Sequence, residues 1–85
     1  MERFLIGHVV SYFAKIGVAA IEIEEGEIKV GDTLYFSGHT TDFEQQIASL
    51  QIDRNAVDSA RAGDSVGIKV RDRVRDGDEV YKVNN

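Results

Sequence analysis

The chain has no cysteine and no proline in its 85 residues. Without cysteine there can be no disulfide and no thiolate zinc site, so stability must come from packing and backbone pairing. The absence also suits a reducing compartment. Long apolar runs are missing too. Phe4-Leu5-Ile6 is too short for a signal peptide, and no stretch approaches the roughly 18 apolar residues of a membrane span. The expectation is a soluble, cytoplasmic protein with no membrane partner. Histidine is scarce, with only His8 and His39, too few for a His-rich metal site. No Gly-x-x-x-x-Gly-Lys-Ser/Thr loop is present, which excludes nucleotide hydrolysis on motif grounds. No serine lies in a nucleophile motif. The sequence thus predicts no catalytic residues, no metal, no cofactor and no enzyme activity of the chain's own.

Positive charge is in deficit: 10 Lys and Arg against 15 Asp and Glu give a net charge of -5. That argues against a general polyanion binder, because non-specific nucleic-acid affinity comes from neutralising phosphates. Local charge is uneven, however. Glu22, Glu24, Glu25 and Glu27 crowd one stretch, while Lys69, Arg71, Arg73 and Arg75 crowd another, opposed only by Asp72.

A chain of this length makes one domain, residues 1–85, with a modest core. No internal repeat, low-complexity tract or linker divides it. Eight glycines separate short runs rich in Val, Ile, Phe and Tyr, a β signature. Strands are predicted over Ile6–Phe13, Val18–Ile23, Thr33–Ser37, Glu44–Ile52, Ser65–Arg71 and Glu79–Val83. Glu24 to Asp32 reads as a long turn in which Ile28 and Val30 dip inward. Arg54 to Ala60 is ambiguous and would tolerate a helical turn. Such spacing points to a sandwich or barrel, and closure would remove exposed edges. The predicted core comprises Ile6, Val10, Ile21, Ile28, Val30, Leu34, Leu50, Ile52, Val66, Ile68, Val70 and Val80.

Four segments then carry a resemblance: Gly7-His8-Val9-Val10, Ile28-Lys29-Val30-Gly31-Asp32, Ala60-Arg61-Ala62-Gly63-Asp64-Ser65-Val66-Gly67-Ile68 and Val74-Arg75-Asp76-Gly77-Asp78-Glu79-Val80. In this order they resemble the second domain of elongation factor Tu and its relatives. The resemblance implies an all-β fold, a small closed antiparallel Greek-key-type barrel of about six strands. The barrel is also similar to the one that closes the collagenase-like peptidases, some of whose members act in RNA modification. In elongation factors it holds the aminoacylated end of tRNA. The resemblance puts Gln51 where the family has an acid that contacts the terminal adenosine, and Ser65 where it has an Asn beside the amino acid. Arg54 and Arg61 match family arginines.

Two candidate sites follow. If a strand continues through Lys69, Arg71, Arg73 and Arg75, alternate spacing puts them on one face, either a solvated surface or a patch for RNA phosphate or an acidic partner. His39, Thr40, Thr41 and Asp42 form a polar loop, either a hydrogen-bonded turn or a seat for a partner's backbone or a phosphate. The leading expectation is a non-enzymatic binding module related to translation factors. It would dock RNA or a ribonucleoprotein through Lys69, Arg71, Arg73, Arg75 and Arg54. The alternative is a protein–protein adaptor barrel working beside a separately encoded enzyme.

Overall fold

A computed structural model describes residues 2–84. The chain runs through ten strands and, among the described residues, no helix: β1 (Glu2–Phe13), β2 (Val18–Ile23), β3 (Glu27–Lys29), β4 (Thr33–Ser37), β5 (Asp42–Gln46), β6 (Leu50–Ile52), β7 (Asn55–Val57), β8 (Ser59–Arg61), β9 (Ser65–Lys69) and β10 (Glu79–Asn84). Eight of them form one antiparallel ladder in the order β5-β4-β10-β1-β2-β9-β6-β7, and β3 pairs with β8. The ladder curls round a single core to which both sheets contribute. Among the described residues no backbone ladder joins its two ends. Instead the Gln45 amide of β5 reaches the end of β9, donating to the Lys69 carbonyl at 2.7 Å and accepting from the Arg71 N–H at 2.8 Å.

One four-residue turn recurs three times. In Lys29-Val30-Gly31-Asp32, Arg61-Ala62-Gly63-Asp64 and Arg75-Asp76-Gly77-Asp78, the aspartate N–H donates to the carbonyl of the first residue at 3.0, 2.9 and 3.1 Å. The aspartate carboxylate accepts the first residue's N–H at 3.0, 2.9 and 2.9 Å. The glycines have φ of 100°, 98° and 92°, as a turn of this kind requires at its third position. Each turn then clamps a buried aliphatic residue by two backbone bonds: Gly31 and Asp32 hold Ile47, Gly63 and Asp64 hold Ile23, and Gly77 and Asp78 hold Val9. Sequence reading found no repeat, because only four residues recur.

The observed core keeps Ile6, Ile21, Ile28, Leu34, Leu50, Val66, Ile68, Val70 and Val80. Val10 and Val30 are exceptions, at 48% and 43% exposure, and Ile52 is half-buried, packed against the cluster. Two β-bulges explain Val10. β1 slips its register against β10 between Leu5 and Gly7 and against β2 between Val9 and Ser11. Each slip changes which residues face inward, so Val9 replaces Val10 in the core. Val30 sits inside the first clamping turn, where its side chain points out. Gly7 is required at the first bulge, since a Cβ there would fall on the Glu22 carbonyl oxygen.

The fourth predicted strand is two. β5 pairs with β4, and β6 pairs with β9 and β7, so the chain crosses the barrel at the clamped Ile47. Glu24 to Asp32 contains β3 rather than one long turn, and Arg54 to Ala60 forms β7 and β8 rather than helix. The largest buried side chain is Phe36, stacked on Phe43 with centroids 5.0 Å apart. Phe36→Ala is expected to cost about 3–5 kcal/mol through lost burial and a cavity. Val10→Ala is expected to stay within about 0.5 kcal/mol. Urea unfolding midpoints of the two variants check both values.

Candidate functional site

The polar loop and the third turn form one unit. Thr41 is buried, and its hydroxyl donates to the Asp78 carboxylate at 2.5 Å. The same oxygen takes the Arg75 N–H, so one buried carboxylate ties the β4–β5 loop to the turn before β10. Thr40 reinforces the tie by accepting from the Arg75 Nε at 3.0 Å. Gly38 lets the loop approach, because a Cβ on it would collide with the Asp78 carboxylate. His39 lies exposed at the loop tip. The loop therefore behaves as a hydrogen-bonded turn, with its threonines already occupied by Asp78 and Arg75.

The basic run does not lie on one strand. β9 ends at Lys69, and the Val70 N–H donates to the Gly17 carbonyl at 2.9 Å. Beyond it Val70 and Val74 plunge into the core, and the bases between them ride an irregular loop. Arg71 pairs with Asp72 at 3.5 Å and lies 5.5 Å from the centroid of the Phe43 ring. Arg73 and Arg75 line a groove with Ser11, Tyr12 and Asp76. Arg54 is elsewhere, in a second groove with Phe13, Ile16, Gln51 and Ser65. The structure thus joins three of the four residues singled out by resemblance to the tRNA-binding barrel, Gln51, Arg54 and Ser65. Arg61 is separate, paired opposite Glu27 between β3 and β8.

The second groove holds about 350 Å³. Its rim is unusual on both sides. Asp53 and Arg54 both adopt the left-handed region, with φ of 51° and 66°. That conformation suits a two-residue hairpin turn but disfavours side chains of this size, typically by about 1 kcal/mol each or more. Facing them, Phe13 and Ile16 expose 50% and 61% of their surface. Sequence reading placed Arg54 among the bases and overlooked the apolar rim, which only the pairing of β2, β9 and β6 brings beside it.

A third feature had no sequence signal. Tyr35 of β4 sits directly opposite Tyr81 of β10, with ring centroids 6.0 Å apart. The Arg3 guanidinium covers the Tyr35 ring at 3.9 Å. The Asp42 carboxylate accepts the Tyr35 hydroxyl at 2.5 Å and raises its pKa above the ordinary 10.0. Glu79 does the same to Tyr81 at 2.9 Å.

Residues 17–78 match the Elongation factor Tu domain 2 family. The chain belongs to that family. It is also 42% identical, over 94% of its length, to an uncharacterized protease of Methanocaldococcus jannaschii. It is 32% identical, over 95% of its length, to a collagenase of Porphyromonas gingivalis. The chain spans 20% of the length of each of these curated relatives. Among solved structures it is similar to the C-terminal domain of a U32 peptidase-family protein of Geobacillus thermoleovorans, with a TM-score of 0.87 and 25% identity, covering 95% of this chain and 93% of that one. The all-β, elongation factor domain 2-like fold and the likeness to the collagenase-like barrel are thereby borne out. Members of this barrel family thus stand both in elongation factors and within chains named as proteases.

Thr41→Val should destabilise the barrel by about 1–3 kcal/mol, because Asp78 loses a partner while remaining buried. Chemical unfolding reads this directly. In an alkaline titration followed by ultraviolet absorbance, Asp42→Asn should bring one tyrosine back towards 10.0. Because the folded-state pKa is raised, the stability linked to it is complete below pH 10 and is lost as pH climbs through the folded value.

Proposed function

We propose that this barrel is a non-catalytic docking module that works beside an enzyme domain and engages protein. One observation carries the reading: the likeness, over nearly the whole of both chains, to the C-terminal domain of a U32 peptidase-family protein. There a barrel of this shape is one domain of a larger protein; the adaptor expected from the sequence as its alternative stands beside a separately encoded enzyme, and the docking role is what the two share. The curated relatives, named as proteases and five times as long, support the same context.

The side chains agree. Thr41 and Asp78 hold each other, and Thr40 holds Arg75, so these groups serve the fold. RNA docking gains less support, because Arg54 lies in a different groove from Arg73 and Arg75. Arg71 has Asp72 beside it as a competing anion.

The test replaces the matching segment of the Methanocaldococcus relative with this chain. Docking onto the enzyme domain should raise the melting temperature of the barrel above that of the isolated chain, since a partner that binds only the native state stabilises it. An unchanged melting temperature would overturn the reading. So would an affinity of the isolated barrel for bulk transfer RNA whose logarithm falls with log salt at a slope near -2 to -3, if that affinity is lost when Arg71, Arg73 and Arg75 become Ala.

A further inference from the structure

The first residues of β1 form an open strand edge. Glu2–Leu5 pair with Asn84–Tyr81 of β10 on one side. On the other side the β2 ladder stops at Gly7 opposite Ile23, and the N–H groups of Glu24 and Glu25 both turn to the Ile6 carbonyl. In an antiparallel pair, the backbone groups of alternate residues face away from the partner. Among the described residues, those of Glu2–Leu5 meet no strand. Edges of this kind are normally blunted by Lys, Pro or a bulge that twists them away. Here the bulge of β1 comes only after the edge, between Leu5 and Gly7, and the edge itself carries Phe4 and Leu5, 50% and 42% exposed. Arg3 does not guard it, being folded over Tyr35 and paired with Glu44 at 3.6 Å.

A groove of about 400 Å³ runs beside this edge, lined by Phe4, Leu5, Ile6 and the Glu25-Gly26-Glu27 loop. Its electrostatics are acidic. Lys82, the base in the groove, is spent on the Glu27 carbonyl at 3.1 Å and the Asp32 carboxylate at 3.3 Å. Glu25 and Glu27 make no ion pair among the described residues. Apolar side chains, unpaired backbone and an acidic rim together suit an extended segment whose apolar residues are flanked by Lys or Arg. Such a segment adds as a strand: the backbone supplies affinity and the side chains supply selectivity. The groove at Phe13 and Ile16 offers exposed apolar side chains, but β2 there is paired on both sides and presents no open backbone.

We infer that the β1 edge at Glu2–Leu5 is where the barrel docks on its enzyme domain, taking an extended, apolar and basic-flanked segment of that domain as an added strand. This rests on the docking function proposed above and names its contact.

Hydrogen exchange in the barrel-swapped Methanocaldococcus relative tests it. The amides within Glu2–Leu5 that face away from β10 should exchange about tenfold or more slowly in the hybrid than in the isolated chain, as paired amides do. Leu5→Lys should abolish that slowing, and so should Glu25→Lys with Glu27→Lys. All three positions are exposed, so each isolated variant should keep its parent's unfolding midpoint. Equal exchange in hybrid and isolated chain, or slowing that survives these variants, would overturn the inference. Slowing confined to the Phe13–Ile16 groove would also overturn it, while leaving the docking function standing. No slowing anywhere on the barrel would sink both.

Discussion

An aspartate that closes its own turn is the constraint on which the rest of this barrel depends. In each of the three turns the carboxylate satisfies the N–H that starts the reversal, and the glycine takes the φ that lets the reversal be tight. The glycine N–H and the aspartate carbonyl are then left aimed at a single residue, Ile47, Ile23 or Val9. Those residues are buried where regular pairing falters, and their backbone groups would cost free energy there if left unpaired. The clamp supplies the partners. Each turn leads directly into a longer strand, β4, β9 or β10, so the clamp also fixes where that strand begins. Register follows from that start, and the core follows from register.

This explains which parts were legible in the sequence. The bounds of Val18–Ile23 and Thr33–Ser37 follow from the sequence, because each alternates without interruption between turn signals. The turns themselves were visible as glycine followed by acid. What the acid does was not visible, because its partner is a backbone N–H three residues earlier and its target is a strand residue far along the chain. Of the misplaced core residues, Val10 lies in β1, where a period-two pattern is applied across two bulges, and Val30 lies in the first turn, where alternation has no meaning. A bulge leaves almost no mark in composition, apart from a glycine such as Gly7 that a close backbone approach demands.

The basic run failed as a strand for a related reason. Lys69, Arg71, Arg73 and Arg75 alternate, and alternation alone suggests a face. Val70 and Val74 decide otherwise, since burying both pulls the chain off the ladder into a loop. The candidate groove with Gln51, Arg54 and Ser65 shows the opposite case. Its polar members were legible only through resemblance to a known barrel. Its apolar rim at Phe13 and Ile16 arises from a tertiary neighbour no local pattern could supply.

The three turns share a backbone but differ in what surrounds them. Asp32 takes Lys82 as a second partner, and Asp78 takes Thr41 and becomes buried. The Asp64 turn holds Ile23 through both backbone groups at the end of β2. Just beyond, the Glu24 and Glu25 N–H groups both close on the Ile6 carbonyl, so the ladder with β1 stops at Gly7. The first residues of β1 continue along β10 with no neighbour on their other flank. An open edge beside an exposed Phe4 and Leu5 thus begins just beyond the strand pair at which the clamp holds β2. Unpaired backbone on β1 lies where its ladder with β2 ends.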